Sequence, residues 1–136
     1  MSACLDAWAI LAWLDGEEPA LTRVDALVAT ARPVVSWVNL VEVLYRVERD
    51  HGRTAADETL TALRRVLAPD LPGTARMVEA GRLKARIPIA LGDCFALATA
   101  SAHGVPLWTG DPDILDRDDV PCETKDLRPP GRLHGR

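Results

Sequence analysis

Short apolar runs alternate with longer amphipathic segments along this chain. The runs SACL (2–5), PVVSW (33–37) and PLWT (106–109) predict three buried strands. VPCETK (120–125) is a candidate for a last edge strand, and RVLAP (65–69) could hold another. The polar and glycine-containing stretches between these runs separate them into distinct elements.

Between the strands, apolar residues recur at helical spacing. In the clearest example, Leu40, Val43, Leu44 and Val47 form one stripe of a segment that ends at Gly52. The pattern predicts helices over residues 7–18 (ending near Gly16), 20–31, 39–52, 54–67, 74–86 and 92–104.

The alternation of strands and helices predicts an α/β fold with a mainly parallel sheet. A length of 136 residues corresponds to one domain. We therefore expect one small three-layer α/β/α domain over residues 1–128. Residues 129–136 are rich in Pro, Gly and Arg and predict a frayed tail.

Composition narrows the possible functions. The net charge of −4, from 16 basic and 20 acidic residues, argues against a general nucleic-acid coating protein, although local basic patches remain possible. Three cysteines without a CxxC spacing predict neither a zinc site nor a disulfide scaffold, and they favour a cytoplasmic location. No uninterrupted apolar run reaches 18 residues, so no membrane span is predicted.

Four acidic residues fall where predicted strands end or the following helices begin. Asp6 follows the first strand, and Glu42 is expected in the first turn of the helix after the second. Asp93 opens a later helix, and Asp111 follows PLWT through one glycine. Because open α/β sheets bind ligands beyond the carboxyl ends of their strands, we expect these side chains to gather at one edge.

Each acid also has an ordinary structural interpretation. Asp6 and Asp93 could be helix N-caps, each contributing about 1 kcal/mol. Asn39 with Glu42 matches a capping box. Asp111 could simply be a turn residue. Position alone therefore does not decide between one shared site and separate local roles for the four acids.

Electrostatics favours a site. The helices headed by Asp6 and Asp93 are apolar almost all round, which is typical of buried helices. Two carboxylates 4 Å apart repel by about 4 kcal/mol at an effective dielectric constant of about 20. No Lys or Arg stands next to the four acids in sequence. A divalent cation would balance the charge, and an all-oxygen ligand set suits Mg²⁺ or Mn²⁺ acting on a phosphodiester.

Three stretches together carry a family resemblance: CLDAWAILAWL, VVSWVNLVEVLYRV and RLKARIPIALGDCFALATASAHGVPLWTGDPDI. In this order they resemble a PIN-domain ribonuclease, specifically a VapC-type toxin of a bacterial toxin–antitoxin pair. The resemblance implies endonucleolytic cleavage of RNA that depends on Mg²⁺ or Mn²⁺. It also implies a cognate antitoxin that occludes the site, and a homodimer.

The family's acidic positions fall on Asp6, Glu42, Asp93 and Asp111. The resemblance thus implies that these four residues form the catalytic, metal-binding site. Our hypothesis makes Asp6 and Asp93 the primary ligands. Glu42 and Asp111 would bind through water, hold a second metal, or orient the attacking water.

The sequence departs from or adds to the family pattern in the first and last motifs. Trp8 stands where the family often has Ser or Thr, so the resemblance does not determine the geometry of the site at this position. Asp113 could replace or assist Asp111. The acids further along are expected to be a solvated loop: Asp116, Asp118 and Asp119.

Two other functions compete with the nuclease. A phospho-acceptor signalling domain of the receiver type also has an acidic Mg²⁺ pocket at its strand ends. It typically pairs two adjacent acids after the first strand and uses a lysine after the last, whereas here Asp6 stands alone and Lys125 lies past the acidic loop. An interaction module that is acidic by chance would bind no metal.

Overall fold

The computed structural model describes residues 3–130. The strands are β1 (Cys4–Leu5), β2 (Val34–Ser36), β3 (Ala68–Asp70), β4 (Leu107–Thr109) and β5 (Thr124–Asp126). The helices are α1 (Ala7–Leu14), α2 (Ala20–Thr30), α3 (Trp37–His51), α4 (Arg53–Val66), α5 (Thr74–Arg86), α6 (Leu91–His103) and α7 (Pro112–Leu115). Strands at RVLAP and VPCETK are confirmed, each shifted toward the C-terminus of its motif.

The strands form one sheet in the order β3-β2-β1-β4-β5, and every pairing is parallel. The predicted α/β class is therefore confirmed. The receiver-type alternative predicts a different sheet, because flavodoxin-like domains have the strand order 2-1-3-4-5. Here β1 is central and the chain departs from it in both directions, so that the ends of β1 and β4 lie side by side.

Alternating residues of the strands face two separate cores, which creates three layers. Leu5 and Val35 contribute to a core with α1, α2, α3 and α4. Cys4 and Val34 contribute to a second core with α5 and α6. This period of two is what a pleated strand imposes when both of its faces are covered.

The start of α3 differs from the prediction. The helix begins at Trp37, and its N-cap is Ser36, whose hydroxyl accepts a hydrogen bond from the Val38 amide at 3.2 Å. Glu42 therefore lies in the second turn, not the first, and the capping box of Asn39 with Glu42 is wrong. The serine at the end of β2 caps the helix directly, so strand and helix follow each other without a loop.

The end of the chain is only partly described. Pro129 and Pro130 are exposed, and the remainder of the predicted tail, residues 131–136, lies outside the described residues. Over residues 3–130, none of the helices combines the length and apolar character needed to span a bilayer.

Candidate metal centre

Asp6 lies between the end of β1 and the start of α1. Its Oδ1 accepts a hydrogen bond from the Ala9 amide at 2.8 Å, so the N-cap interpretation is correct. The residue is only 3% exposed. Burial raises the pKa of Asp6 to about 7, even though hydrogen bonds from Thr109 and Ala9 favour the ionised form. Capping therefore leaves much of the cost of this buried charge uncompensated.

Asp93 lies in the first turn of α6. Burial raises its pKa, and the charge of Asp111 is the next largest cause. The charges of Asp6 and Glu42 raise the pKa of Asp93 further.

Asp111 and Asp113 follow β4 at the start of α7. Asp111 caps α7 by accepting a hydrogen bond from the Asp113 amide at 2.9 Å, while its own amide donates to the Thr109 hydroxyl at 3.0 Å. One carboxylate oxygen each of Asp93, Asp111 and Asp113 lies within 4.8 Å of the other two. This acidic triad is compact enough for its members to share one ion, and it includes the additional acid of the last turn.

Glu42 approaches the triad from α3. Its Oε1 accepts a hydrogen bond from Asn39 Nδ2 at 2.9 Å, and the same nitrogen donates to the Gly92 carbonyl at 3.1 Å. Its carboxylate lies against the backbone of Gly92, one residue before Asp93. The charge of Glu42 raises the pKa values of both Asp6 and Asp93, so it belongs to the same electrostatic cluster.

The five predicted acids line one open cleft of about 420 Å³, and two further acids, Asp15 and Glu17, line it as well. Among the described residues that line it, Arg46 is the single basic one; it lies one turn beyond Glu42 on α3 and is exposed. Trp8 forms part of the wall. The sheet edge thus gathers all the predicted acids: Asp6, Glu42, Asp93, Asp111 and Asp113.

The remaining acids of the last loop lie apart from the cleft. Asp116, Asp118 and Asp119 are exposed, which agrees with the predicted solvated loop. Arg117 and Arg128 pair with two of them on the surface. Lys125 does not line the cleft, because its ammonium lies 5.3 Å from the ring centre of Trp108 on the neighbouring strand. No lysine therefore reaches the described cleft, although the receiver-type alternative requires one.

Sequence reasoning missed two residues of the site. The sequence pattern predicts Asn39 only as a cap and does not single out Arg46. Both occupy positions that helical periodicity places on the face of Glu42, three residues before it and four after it. A projection of α3 centred on Glu42 would have identified them.

Comparison with known proteins places this geometry in context. A family model described as the PIN domain matches residues 3–120. No curated protein sequence gives a significant match.

Several solved structures share the fold. VapBC2 from Rickettsia felis, bound to a DNA fragment from its promoter, matches with a TM-score of 0.76 and 15% identity, over 94% of this chain and 100% of that one. DNA-bound VapBC from Salmonella typhimurium gives 0.76 and 16%, over 94% and 99%. Mycobacterium tuberculosis VapC20, described as a Sarcin-Ricin loop cleaving toxin, gives 0.70 and 18%, over 90% and 99%.

Proposed function

Because this chain belongs to the PIN domain family, we propose that it is an endoribonuclease that depends on Mg²⁺ or Mn²⁺ and is the toxin of a toxin–antitoxin pair. The family membership and the VapC-type fold agree with the resemblance in the sequence. One observation carries the proposal: Asp93, Asp111 and Asp113 bring carboxylate oxygens within 4.8 Å of one another beside the buried Asp6.

The residues of the cleft fit a hard divalent cation. All candidate ligands are carboxylate oxygens, as Mg²⁺ and Mn²⁺ prefer. Burial and the neighbouring carboxylates raise the pKa values of Asp6 and Asp93, as expected of an acidic cluster that lacks a balancing positive charge. Asp93 and Asp111 would be direct ligands, together with Asp6 or Asp113. Glu42 would act at the rim, through water or at a second ion.

The carboxylates differ in what they can do to a substrate. A bound Mg²⁺ or Mn²⁺ would lower the pKa of water and stabilise negative charge at the leaving oxygen of a phosphodiester. Asp6 is buried and accepts a hydrogen bond from the Ala9 amide, so its role would be to hold the ion at a fixed position in the cleft. Asp113 is exposed and can meet incoming water. Glu42 is positioned by Asn39 to accept a proton or orient water.

The proposed substrate is RNA. The VapC20 relative is described as cleaving the Sarcin-Ricin loop, and a nuclease of the same fold would act on a phosphate backbone. Arg46 supports this, because a cation on the wall of an otherwise acidic cleft can contact a phosphate that the carboxylates would repel. The chain's overall negative charge argues for local rather than general attraction of nucleic acid.

The proposed antitoxin has a surface to occupy. A groove of about 270 Å³ runs beside the acidic cleft and is lined by apolar residues of α1, including Leu11 and Leu14, and by parts of α3 and α4. Leu11, Asp15 and Arg46 line both the groove and the cleft. A polypeptide bound in the groove could therefore continue into the cleft and exclude RNA. The matching Rickettsia and Salmonella structures are VapBC complexes.

The proposed homodimer is supported by exposed apolar side chains. Val41 and Tyr45 are 55% and 54% exposed, and they lie one turn apart on α3. Met77 and Val78 of α5 are also about half exposed. Large exposed apolar residues on adjacent turns are typical of surfaces that bind another protein.

The decisive experiment measures cleavage of end-labelled RNA by the purified chain with Mn²⁺, with Mg²⁺ and with EDTA. We expect cleavage only with metal. Asp93→Asn should reduce the rate by about 100-fold or more, because it removes a charge from the triad. Asp118→Asn is the matched control, since Asp118 is exposed in the acidic loop outside the cleft. Wild-type rates for Asp93→Asn, or cleavage that persists in EDTA, would overturn the proposal.

Expression in bacteria tests the toxin assignment separately. We expect growth arrest and specific RNA fragments when the chain is expressed alone, and relief of both when it is expressed with the product of its upstream neighbouring gene. The Asp93→Asn variant should not arrest growth. Arrest by this variant would show that toxicity does not come from the cleft.

A further inference from the structure

The side chain of Asn39 is enclosed between α3 and α6. It is 1% exposed, and its Nδ2 donates to Glu42 Oε1 at 2.9 Å and to the Gly92 carbonyl at 3.1 Å. Both partners are acceptors, so the amide nitrogen must face them and its two hydrogens are used. Asn39 thus ties the carboxylate of one helix to the first turn of the other.

This orientation leaves the other end of the amide unpaired. Asn39 Oδ1 is buried and has no hydrogen-bond partner in the described structure. A buried polar atom without a partner destabilises the folded state, and such atoms are uncommon in proteins. A leucine of similar size would avoid this penalty, so fold stability does not explain the asparagine.

Gly92 completes the arrangement. A β-carbon at this position would lie 2.5 Å from Glu42 Oε2 and 2.7 Å from Oε1, far inside contact distance. The Glu42 carboxylate therefore occupies the space that any other residue would fill. Gly92 lies within α6, where glycine is otherwise unfavourable compared with alanine. The absence of a side chain at Gly92 therefore leaves room for the Glu42 carboxylate.

We propose that Asn39 and Gly92 are positioning residues that fix the Glu42 carboxylate beside Asp93 and thereby set the affinity of the cleft for its metal ion. Asn39 supplies the directional hydrogen bond, and Gly92 supplies the space. The inference rests on the proposed metal-dependent function. Loss of outer hydrogen-bonding partners of metal ligands typically weakens metal binding by about 10- to 100-fold.

Mn²⁺ binding measured by electron paramagnetic resonance tests the proposal, with the thermal midpoint of the metal-free protein recorded in parallel. In Gly92→Ala, the flexible end of Glu42 can swing away, so the midpoint should be unchanged or higher while Mn²⁺ binds about 10-fold or more weakly. Gly81→Ala is the matched control. Gly81 also lies within a helix, and a β-carbon there would meet nothing within 4 Å. This control should bind Mn²⁺ as the wild type does.

Asn39→Leu provides a second variant with nearly the same volume. It removes both hydrogen bonds together with the unpaired Oδ1, so we expect a folded protein with weaker Mn²⁺ binding. A merely structural role predicts the reverse, a lower midpoint with unchanged affinity per folded molecule. Wild-type Mn²⁺ affinity in either Gly92→Ala or Asn39→Leu overturns the proposal.

The side-chain amide of Asn39, observed by NMR in metal-free protein, separates this inference from the proposed function. If the wild type neither binds Mn²⁺ nor cleaves RNA, the proposed function fails, and with it the role of Asn39 in metal affinity. The contact of Asn39 with Glu42 and Gly92 is tested separately, by the amide resonance of the metal-free variants. The Asn39 resonance should shift in Gly92→Ala and Glu42→Gln but not in Gly81→Ala, and an unmoved resonance in the first two would refute the contact.

Discussion

The indole ring of Trp8 lies directly on Gly110. A β-carbon at Gly110 would overlap the ring atom Cη2, so no other residue fits without moving the tryptophan. Gly110 joins β4 to Asp111, and Trp8 follows Asp6 by two residues. The bulky residue found where the PIN family often has a small hydroxyl is therefore accommodated by packing against the turn that carries an acid of the cleft.

This packing predicts that Gly110→Ala is destabilising. The rigid ring cannot yield as a flexible side chain would, and overpacking of this kind costs about 1–3 kcal/mol of unfolding free energy. Urea unfolding measures the effect, with Gly81→Ala as the control because its surroundings are open. In a Trp8→Ala background, Gly110→Ala should cost less unfolding free energy than it does in the wild type. Equal costs with and without the ring would contradict the contact.

A second prediction concerns the response of the protein to metal. A cation that binds only the folded state at 100 times its dissociation constant stabilises it by about 2.7 kcal/mol. The thermal midpoint should therefore rise by roughly 10 °C in saturating Mn²⁺. Differential scanning fluorimetry measures the shift. Asp93→Asn should lose most of it and Asp118→Asn none. No shift in the wild type would favour the interaction module.

The third prediction follows from the buried charge of Asp6, whose pKa rises from 3.8 to about 7 on folding. Between these two values the folded protein binds more protons than the unfolded chain. The free energy of unfolding of the metal-free protein must therefore fall as the pH rises through this window, and the loss is complete above it. Asp93, whose pKa is also raised, contributes in the same direction.

Asp6→Asn isolates this effect. Asparagine is also a good N-cap and can still accept from the Ala9 amide, but it carries no charge. The variant should be more stable than the wild type at pH 8 without metal and nearly equal to it at pH 4, while losing metal-dependent cleavage. Urea unfolding at several pH values gives the comparison. A constant difference across the range would mean that Asp6 is not protonated in the window.

The fourth prediction concerns a separate ion cluster on the second core. Asp70 at the end of β3 accepts from Arg76 and from His103, each at 2.7 Å. Burial opposes ionisation of Asp70, but the hydrogen bonds from His103 and Arg76 outweigh it and lower the pKa. Asp70→Asn should reduce the unfolding free energy by about 1–3 kcal/mol. Because none of the three residues lines the cleft, cleavage per folded molecule should not change.

Much of the fold could be predicted because it depends on local pattern. Periods of two and of about 3.6 residues revealed the strands and the long helices, and α5 was predicted with its observed limits, 74–86. The start of α3 was wrong because Ser36 both ends a strand and caps a helix, and no loop marks the boundary. The short helix α7 was not predicted, since its four residues have no periodicity.

The sequence by itself determined that several acids gather at one edge of the sheet. Asp6 and Asp111 follow two parallel strands, which end at a common edge, so these acids must converge once the strands are identified. Asp93 follows α5 instead of a strand, and its position depends on how α6 packs. The sequence could not rank these acids. The tertiary structure decided that Asp93, Asp111 and Asp113 form the compact triad, that Asp6 is buried in the same cleft, and that Asn39 and Gly92 hold Glu42. Those relations depend on distances between side chains of different helices, and only packing in three dimensions fixes them.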